Sequence, residues 1–126
     1  MQYKILKVGN KELKLRLRAK DCVELESKIG ESPLNVLMKV SDGKIPSLGF
    51  IISVLHSSLQ SFEHGYTLNK TYDLYDEYVE NGGDMTGMLE VLTEVFEVSG
   101  FFKKEKSEKE EQIQEIENIQ ENQIVV

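Results

Sequence analysis

The chain lacks the patterns with which small proteins build disulfide frameworks, metal centres or membrane spans. Its single cysteine, Cys22, excludes an internal disulfide and any cysteine-cluster metal site. The longest apolar run, Phe50 to Leu55, is interrupted by Ser53 and is far too short to cross a membrane. The first residues contain no apolar segment typical of a signal peptide. We therefore expect an intracellular protein that does not insert into membranes.

Sequence motifs for catalysis and cofactor binding are also missing. The nine glycines form neither a G-x-x-x-x-G-K-[ST] nor a G-x-G-x-x-G pattern, and no serine stands in a G-x-S-x-G setting. His56 and His64 have no second histidine or cysteine at ligand spacing. These absences predict a protein that is not an enzyme and uses no cofactor or catalytic metal.

Basic residues are scarce, and their distribution is uneven. The net charge of −7 disfavours binding to nucleic acid. Residues 1–20 hold seven lysines and arginines against one acid, Glu12, whereas residues 63–97 hold nine acids against one base, Lys70. The opposite charges could meet within one molecule or bring one copy against the next, so self-association stays open.

The composition changes sharply after Phe102. Residues 1–102 contain every aromatic residue, glycine and proline of the chain, and residues 103–126 contain none of these and no leucine. We predict a folded domain over residues 1–102 and a charged tail over residues 103–126, either disordered or an amphipathic helix. Deleting residues 103–126 should leave the domain folded, because the predicted core residues precede the cut.

The tail carries four isoleucines that recur at near-helical spacing. On a helical wheel they cover an arc of about 140°, with glutamate and glutamine elsewhere, so the segment could lie in a partner's groove. These candidate partner-binding residues are Ile113, Ile116, Ile119 and Ile124.

The beginning of the chain predicts a β-hairpin. Leu13, Leu15 and Leu17 alternate with cations, which places the leucines on one face of a strand. The preceding segment, residues 3–8, is joined to this strand by Gly9-Asn10, a plausible two-residue turn. A hairpin this small must pack on other elements to be stable.

Helical patterns follow from Ala19 onward and predict about five helices. Ser32-Pro33 starts a second, short helix with Leu34, Leu37 and Met38 on its inner face, and Ser47 is the cap candidate for the third helix. The third helix places six apolar residues at steps of three and four and is predicted to be the central core helix. These six are Leu48, Ile51, Ile52, Leu55, Leu59 and Phe62. The predicted fold class is α+β, mainly α.

The last two predicted helices also begin at capping residues. Thr67 or Asn69 caps the fourth helix and Asp84 caps the fifth, whose wide apolar arc predicts burial on more than one side. The double phenylalanine, Phe101-Phe102, is predicted to belong to the last buried turn.

The fourth helix predicts an acidic surface. Four carboxylates at i, i+3, i+4 and i+7 fall within one stripe, namely Asp73, Asp76, Glu77 and Glu80. Four apolar residues, Leu68, Tyr72, Tyr75 and Val79, fall on the other side and are predicted to pack on the domain. The stripe is interpreted as a solvated face, a protein-contact surface or, least favoured, a site for Mg²⁺ or Ca²⁺.

Seven short blocks, taken in order, resemble the tail assembly chaperones of long-tailed phages and prophages of Gram-positive bacteria. The resemblance covers residues 3–102. The blocks are AKDCVELE at 19–26, SPLN at 32–35, PSL at 46–48, LHSSLQ at 55–60, HG at 64–65, YDLYDEY at 72–78 and VSGFF at 98–102.

This resemblance implies a non-enzymatic protein of the host bacterial cytoplasm. Such a chaperone binds the tape-measure protein, keeps that long apolar helical chain soluble, and helps to recruit tail-tube subunits. It needs exposed apolar grooves, in which Met38, Met85 and Met88 would supply adaptable contacts. The alternative left open is a bacterial adaptor or regulatory domain that docks on a basic partner and is unrelated to phage assembly.

The resemblance also implies a hypothesis about the composition break. Many such phages make a second, longer product by a programmed ribosomal frameshift. Phe-Phe-Lys-Lys, residues 101–104, can be encoded by runs of U and A on which ribosomes slip. The chain would then be the unshifted product, and interrupted runs at these codons with no overlapping frame would disprove the idea.

Overall fold

A computed structural model describes residues 2–103 and shows the predicted N-terminal hairpin. Strand β1 (Lys4–Val8) pairs antiparallel with β2 (Lys11–Leu15), with Leu6 opposite Leu13. Gly9 in the connecting turn has φ +59°, a conformation that glycine adopts without strain. Leu13, Leu15 and Leu17 are all buried, as their alternation predicted.

Five helices follow the hairpin, and the predicted fold class is confirmed. They are α1 (Ala19–Ile29), α2 (Pro33–Val40), α3 (Leu48–Leu59), α4 (Leu68–Glu80) and α5 (Met85–Val98). No helix among the described residues is both long enough and apolar enough to cross a membrane.

Side-chain caps fix the starts of three helices where the sequence predicts them. The Ser47 hydroxyl accepts a hydrogen bond from the backbone N–H of Phe50 at 3.1 Å, and the Thr67 hydroxyl accepts one from Lys70 at the same distance. The Asp84 carboxylate accepts one from the N–H of Gly87 at 2.7 Å. Each cap satisfies a backbone donor that has no partner within the helix.

Helix α3 is the centre of the core. It contacts α1, α4, α5 and β2, and Ile51, Val54, Leu55 and Leu59 are completely buried. Two residues differ from the predicted stripe. Leu48 is nearly half exposed at the first position of the helix, and Phe62 lies beyond the end of α3 at Leu59.

The junction between the hairpin and α1 is held by an ion pair. The Arg18 guanidinium donates to both carboxylate oxygens of Asp21 at 2.9 and 3.0 Å, and the Arg18 backbone N–H donates to the same group. Burial alone would raise the pKa of Asp21, but the hydrogen bonds from Arg18 outweigh it and keep this pKa below its ordinary value. The strand-to-helix corner is thereby fixed.

Helix α2 is the least buried helix. Pro33 is its only fully buried residue, and it packs mainly on α1. The prediction that Met38 lies on the inner face is wrong: its side chain is 70% exposed. The helix turns Leu34 and Leu37 towards the core, and Met38, one position further, lies at the solvent edge of that face.

Candidate helix-binding surfaces

The four predicted acids of α4 do not act as one surface. Glu77 accepts a hydrogen bond from the Lys11 ammonium at 2.9 Å, which ties α4 to the hairpin and raises the pKa of Lys11. Asp76 and Glu80 are exposed and form no ion pair with any described residue. One member of the stripe is therefore structural, and two remain available to a partner.

Asp73 lies in a polar cleft beside that ion pair. The cleft has a volume of about 350 Å³, and two lysines, Lys11 and Lys70, and two carboxylates, Asp73 and Glu77, line it. The opposite charges balance. An ion pair between Lys4 and Glu94 joins β1 to α5 in the same way. The basic hairpin and the acidic helices therefore meet within one molecule.

The apolar side of α4 was predicted to be packed, and most of that prediction is wrong. Leu68, Tyr72 and Val79 are 45%, 48% and 45% exposed. The face that packs on α3 and β1 is instead centred on Thr71 and Leu74, both buried. The core accepts Thr71 because its hydroxyl donates to the carbonyl of Thr67 at 2.8 Å, which leaves no unsatisfied polar group.

The end of α4 is held in place by close packing against two glycines. A Cβ atom at Gly83 would overlap the Tyr78 ring, and one at Gly87 would come within 2.6 Å of the Tyr78 hydroxyl. Burial raises the pKa of Tyr78, so the phenol is neutral at physiological pH. The Tyr78 side chain of α4 thus explains why a glycine stands at position 87, in the first turn of α5.

A second apolar surface, which the sequence did not predict as a unit, lies between α2 and α5. We call it the α2–α5 groove. It consists of two cavities of about 440 and 780 Å³ that share Val40, Ser41, Thr93 and Phe102. Leu34, Leu37 and Met38 complete one cavity, and Leu89 lies in the other.

One side of this groove is acidic. Glu90, Glu94 and Glu97 lie along α5 at i, i+4 and i+7 and line the larger cavity together with one base, Lys103. Glu94 pairs with Lys4, and Glu90 is exposed. An apolar segment with cations along one flank would complement this arrangement.

The double phenylalanine and two of the three methionines differ from the predictions: Met38 lines the α2–α5 groove, whereas Met85 is half-buried against the core and lines neither of its cavities. Phe101 and Phe102 follow the end of α5 and are half-buried, with the Phe101 ring 5.7 Å from that of Phe96 in an edge-to-face contact. Phe102 lines the α2–α5 groove. Met88 is completely buried and therefore belongs to the core, because it faces inward from α5.

Two further predicted features concern the tail and metal binding. Ile113, Ile116, Ile119 and Ile124 lie outside the described residues. Within residues 2–103, no group of three or more His, Cys, Asp or Glu side chains is arranged to hold a metal ion.

Cys22 is a buried core residue, and burial raises the pKa of its thiol, which keeps it protonated.

The fold and these surfaces define a small, mainly helical α+β domain with an exposed apolar helix edge and an apolar groove. The chain belongs to a family of unknown function, DUF6096, whose profile matches residues 2–124 and so includes most of the charged tail. No curated protein and no solved structure matches the chain significantly.

Proposed function

We propose that this protein is a non-catalytic tail assembly chaperone of a long-tailed phage or prophage, acting in the cytoplasm of a Gram-positive host. It binds apolar helical segments of the tape-measure protein, keeps them soluble and helps to bring tail-tube subunits to them. The resemblance of the ordered sequence blocks supports the assignment to tail assembly. The observation that carries the binding mode is the α2–α5 groove.

The groove suits an apolar helix because its apolar lining is partly exposed to solvent. Leu37, Met38 and Phe102 contact one continuous space, so a client side chain that enters it removes apolar surface from water on both partners. Each fully buried Leu or Phe of a client contributes about 1.5–3 kcal/mol. Methionine adapts its shape to different side chains, which favours a binding site for many related turns of one long client.

The position of α2 supports an adjustable groove. This helix has only Pro33 fully buried and packs mainly on α1, so one wall of the groove has few contacts to lose when it moves. The other wall, α5, is anchored in the core through Leu92, Val95 and Phe96. A fixed wall and a weakly held wall let the groove accept side chains of different size.

Co-expression with the tape-measure protein tests the proposal. The wild-type protein should keep that client in the soluble fraction and copurify with it. Met38→Glu should abolish both effects, because it places a charge in the apolar groove at a site exposed enough to leave the fold intact. Val23→Glu is the matched control, since Val23 is a 65% exposed apolar residue of α1 that does not line the groove.

The results separate this function from an adaptor outside phage assembly. An insoluble client and no complex with the wild-type protein would make the chaperone proposal wrong. If Met38→Glu and Val23→Glu reduced client solubility and copurification equally, the groove would be rejected as the binding site. A very long coiled-coil gene downstream and a tube gene upstream are the gene neighbours that the proposal requires.

A further inference from the structure

We propose that the exposed side of α4 docks an amphipathic helix of another protein, one whose apolar stripe is flanked by lysine or arginine. This surface, here called the α4 face, consists of Leu68, Tyr72, Val79, Asp76 and Glu80. It shares no residue with the α2–α5 groove, so it does not depend on the function proposed above.

The spacing of the apolar residues is that of a helix–helix contact. Leu68, Tyr72, Tyr75 and Val79 stand at i, i+4, i+7 and i+11 and span about 60° of the helix circumference, at about 100° per residue. The stripe is about 16 Å long at about 1.5 Å per residue. A partner helix of three turns covers it completely.

The stripe is held firmly although its outer residues are exposed. Tyr75, in the middle, is half-buried against the core, with its ring 6.3 Å from that of Tyr78. Tyr78 is in turn confined by Gly83 and Gly87. Leu68, Tyr72 and Val79 therefore present a fixed apolar edge to solvent. Helix α4 loses little conformational freedom when a partner binds to this edge.

The charges beside the stripe define the chemistry of the partner. Asp76 and Glu80 lie about 40° and 80° beyond Tyr72 on the helical wheel, on the flank of the stripe that faces solvent. Neither is neutralised by a described cation, whereas Glu77 is paired with Lys11. Cations spaced one turn apart on a partner helix would meet both carboxylates.

The same charges disfavour two occupants that this chain itself could supply, the α4 face of a second copy and the isoleucine-containing part of the tail. Two copies of the α4 face would bring Asp76 and Glu80 against like charges, which opposes association. The tail from residue 112 onward carries Glu115, Glu117 and Glu121 and no base. A foreign basic helix is the occupant that satisfies both the apolar stripe and the acids.

A designed peptide provides the probe. It is an 18-residue fluorescein-labelled helix with Leu at i, i+4, i+7 and i+11 and Lys on the adjoining positions, titrated with the full chain and followed by anisotropy. We expect binding that weakens as salt is raised. Tyr72→Ser should weaken it by about tenfold or more, and Asp76→Lys combined with Glu80→Lys should do the same and remove the salt dependence.

Matched controls make the outcome decisive. Glu24→Lys, at an exposed acid of α1, should reduce affinity far less than the double reversal, and Val23→Glu, at an exposed apolar residue of α1, should leave the affinity unchanged. The proposal is wrong if Glu24→Lys weakens binding as much as the double reversal, or if a peptide with Glu in place of Lys binds equally well. Light scattering that shows a dimer abolished by Tyr72→Ser would assign the α4 face to a second copy and would also overturn it.

Discussion

Helices α3 and α4 are of nearly equal length, 12 and 13 residues, and each begins at a hydroxyl cap and carries an apolar stripe. They differ in their surroundings. Helix α3 is enclosed by α1, α4, α5 and β2, whereas α4 packs mainly on α3 and β1. Enclosure buries nearly all of the α3 stripe, and the position of α4 at the edge leaves three large apolar residues in solvent.

The comparison separates stability from recognition. In α3 an apolar side chain contributes to the folding free energy because water is already excluded from it. In α4 the exposed apolar residues have not yet lost their water, so their burial can contribute to binding instead. Substitutions in the two helices should therefore affect different measurements.

The largest effect is expected from Leu55→Ala in α3. Leu55 is completely buried, so truncation creates a cavity and should lower the free energy of unfolding by about 2–5 kcal/mol. Urea unfolding followed by circular dichroism measures this loss. A change close to zero would show that α3 is not the centre of the core.

The next effect concerns the packing that fixes the end of α4. Gly83→Ala brings a methyl group into the Tyr78 ring and should cost about 1–3 kcal/mol through overpacking. Gly49→Ala is the matched control, since a Cβ there meets only the Ser47 hydroxyl at 3.8 Å. Thermal unfolding should show a lower melting temperature for Gly83→Ala alone, and equal melting of both variants would contradict the contact.

A smaller and pH-dependent effect is expected at the start of α1. Asp21→Asn removes the charge that accepts hydrogen bonds from Arg18 and should cost about 1.5 kcal/mol at neutral pH. The pKa of Asp21 in the folded protein lies below its ordinary value of 3.8. The ionised group therefore stabilises the fold fully above pH 3.8, and this contribution is lost as the pH falls through the folded pKa.

The difference in stability between wild type and Asp21→Asn should therefore shrink below pH 3.8. Urea unfolding from neutral pH down to about pH 2.5 follows this change. Glu24→Gln, at an exposed acid of the same helix, is the control. A difference that stayed constant across the whole range would mean that the carboxylate charge is not the stabilising feature.

The smallest effect is expected in α4 itself. Leu68→Ala should change the free energy of unfolding by less than about 0.5 kcal/mol, because the residue is 45% exposed. The same urea experiment compares it directly with Leu55→Ala. If both variants lost a similar free energy of unfolding, Leu68 would be packed as Leu55 is. The proposed contrast between the two helices and the available binding surface on α4 would then both be wrong.

The local features of this fold were predictable because they depend on neighbouring residues. The turn at Gly9 and the caps at Ser47, Thr67 and Asp84 all follow from backbone geometry and hydrogen bonds within a few positions. Alternation correctly placed the hairpin leucines because one face of a two-stranded sheet must be covered.

The candidate surfaces were only partly predictable, because each depends on contacts between distant segments. The acidic stripe of α4 was visible as spacing, but the pairing of Glu77 with Lys11 joins residues 66 positions apart. A helical wheel shows that Leu68, Tyr72 and Val79 share a side of α4, yet it does not show whether another element covers that side. The α2–α5 groove likewise requires α2 and the end of α5 to meet.

By itself, then, the sequence determined the order and type of the strands and helices and the starts of three helices, because caps, turns and apolar periodicity act over one or two helical turns. Tertiary structure alone decided that Met38, Tyr72 and Val79 face solvent while Thr71 and Met88 are buried. The physical reason is that exposure depends on which elements surround a helix. Helix α3 is surrounded, and α4 is not, so similar apolar stripes form a core in one helix and an open surface in the other.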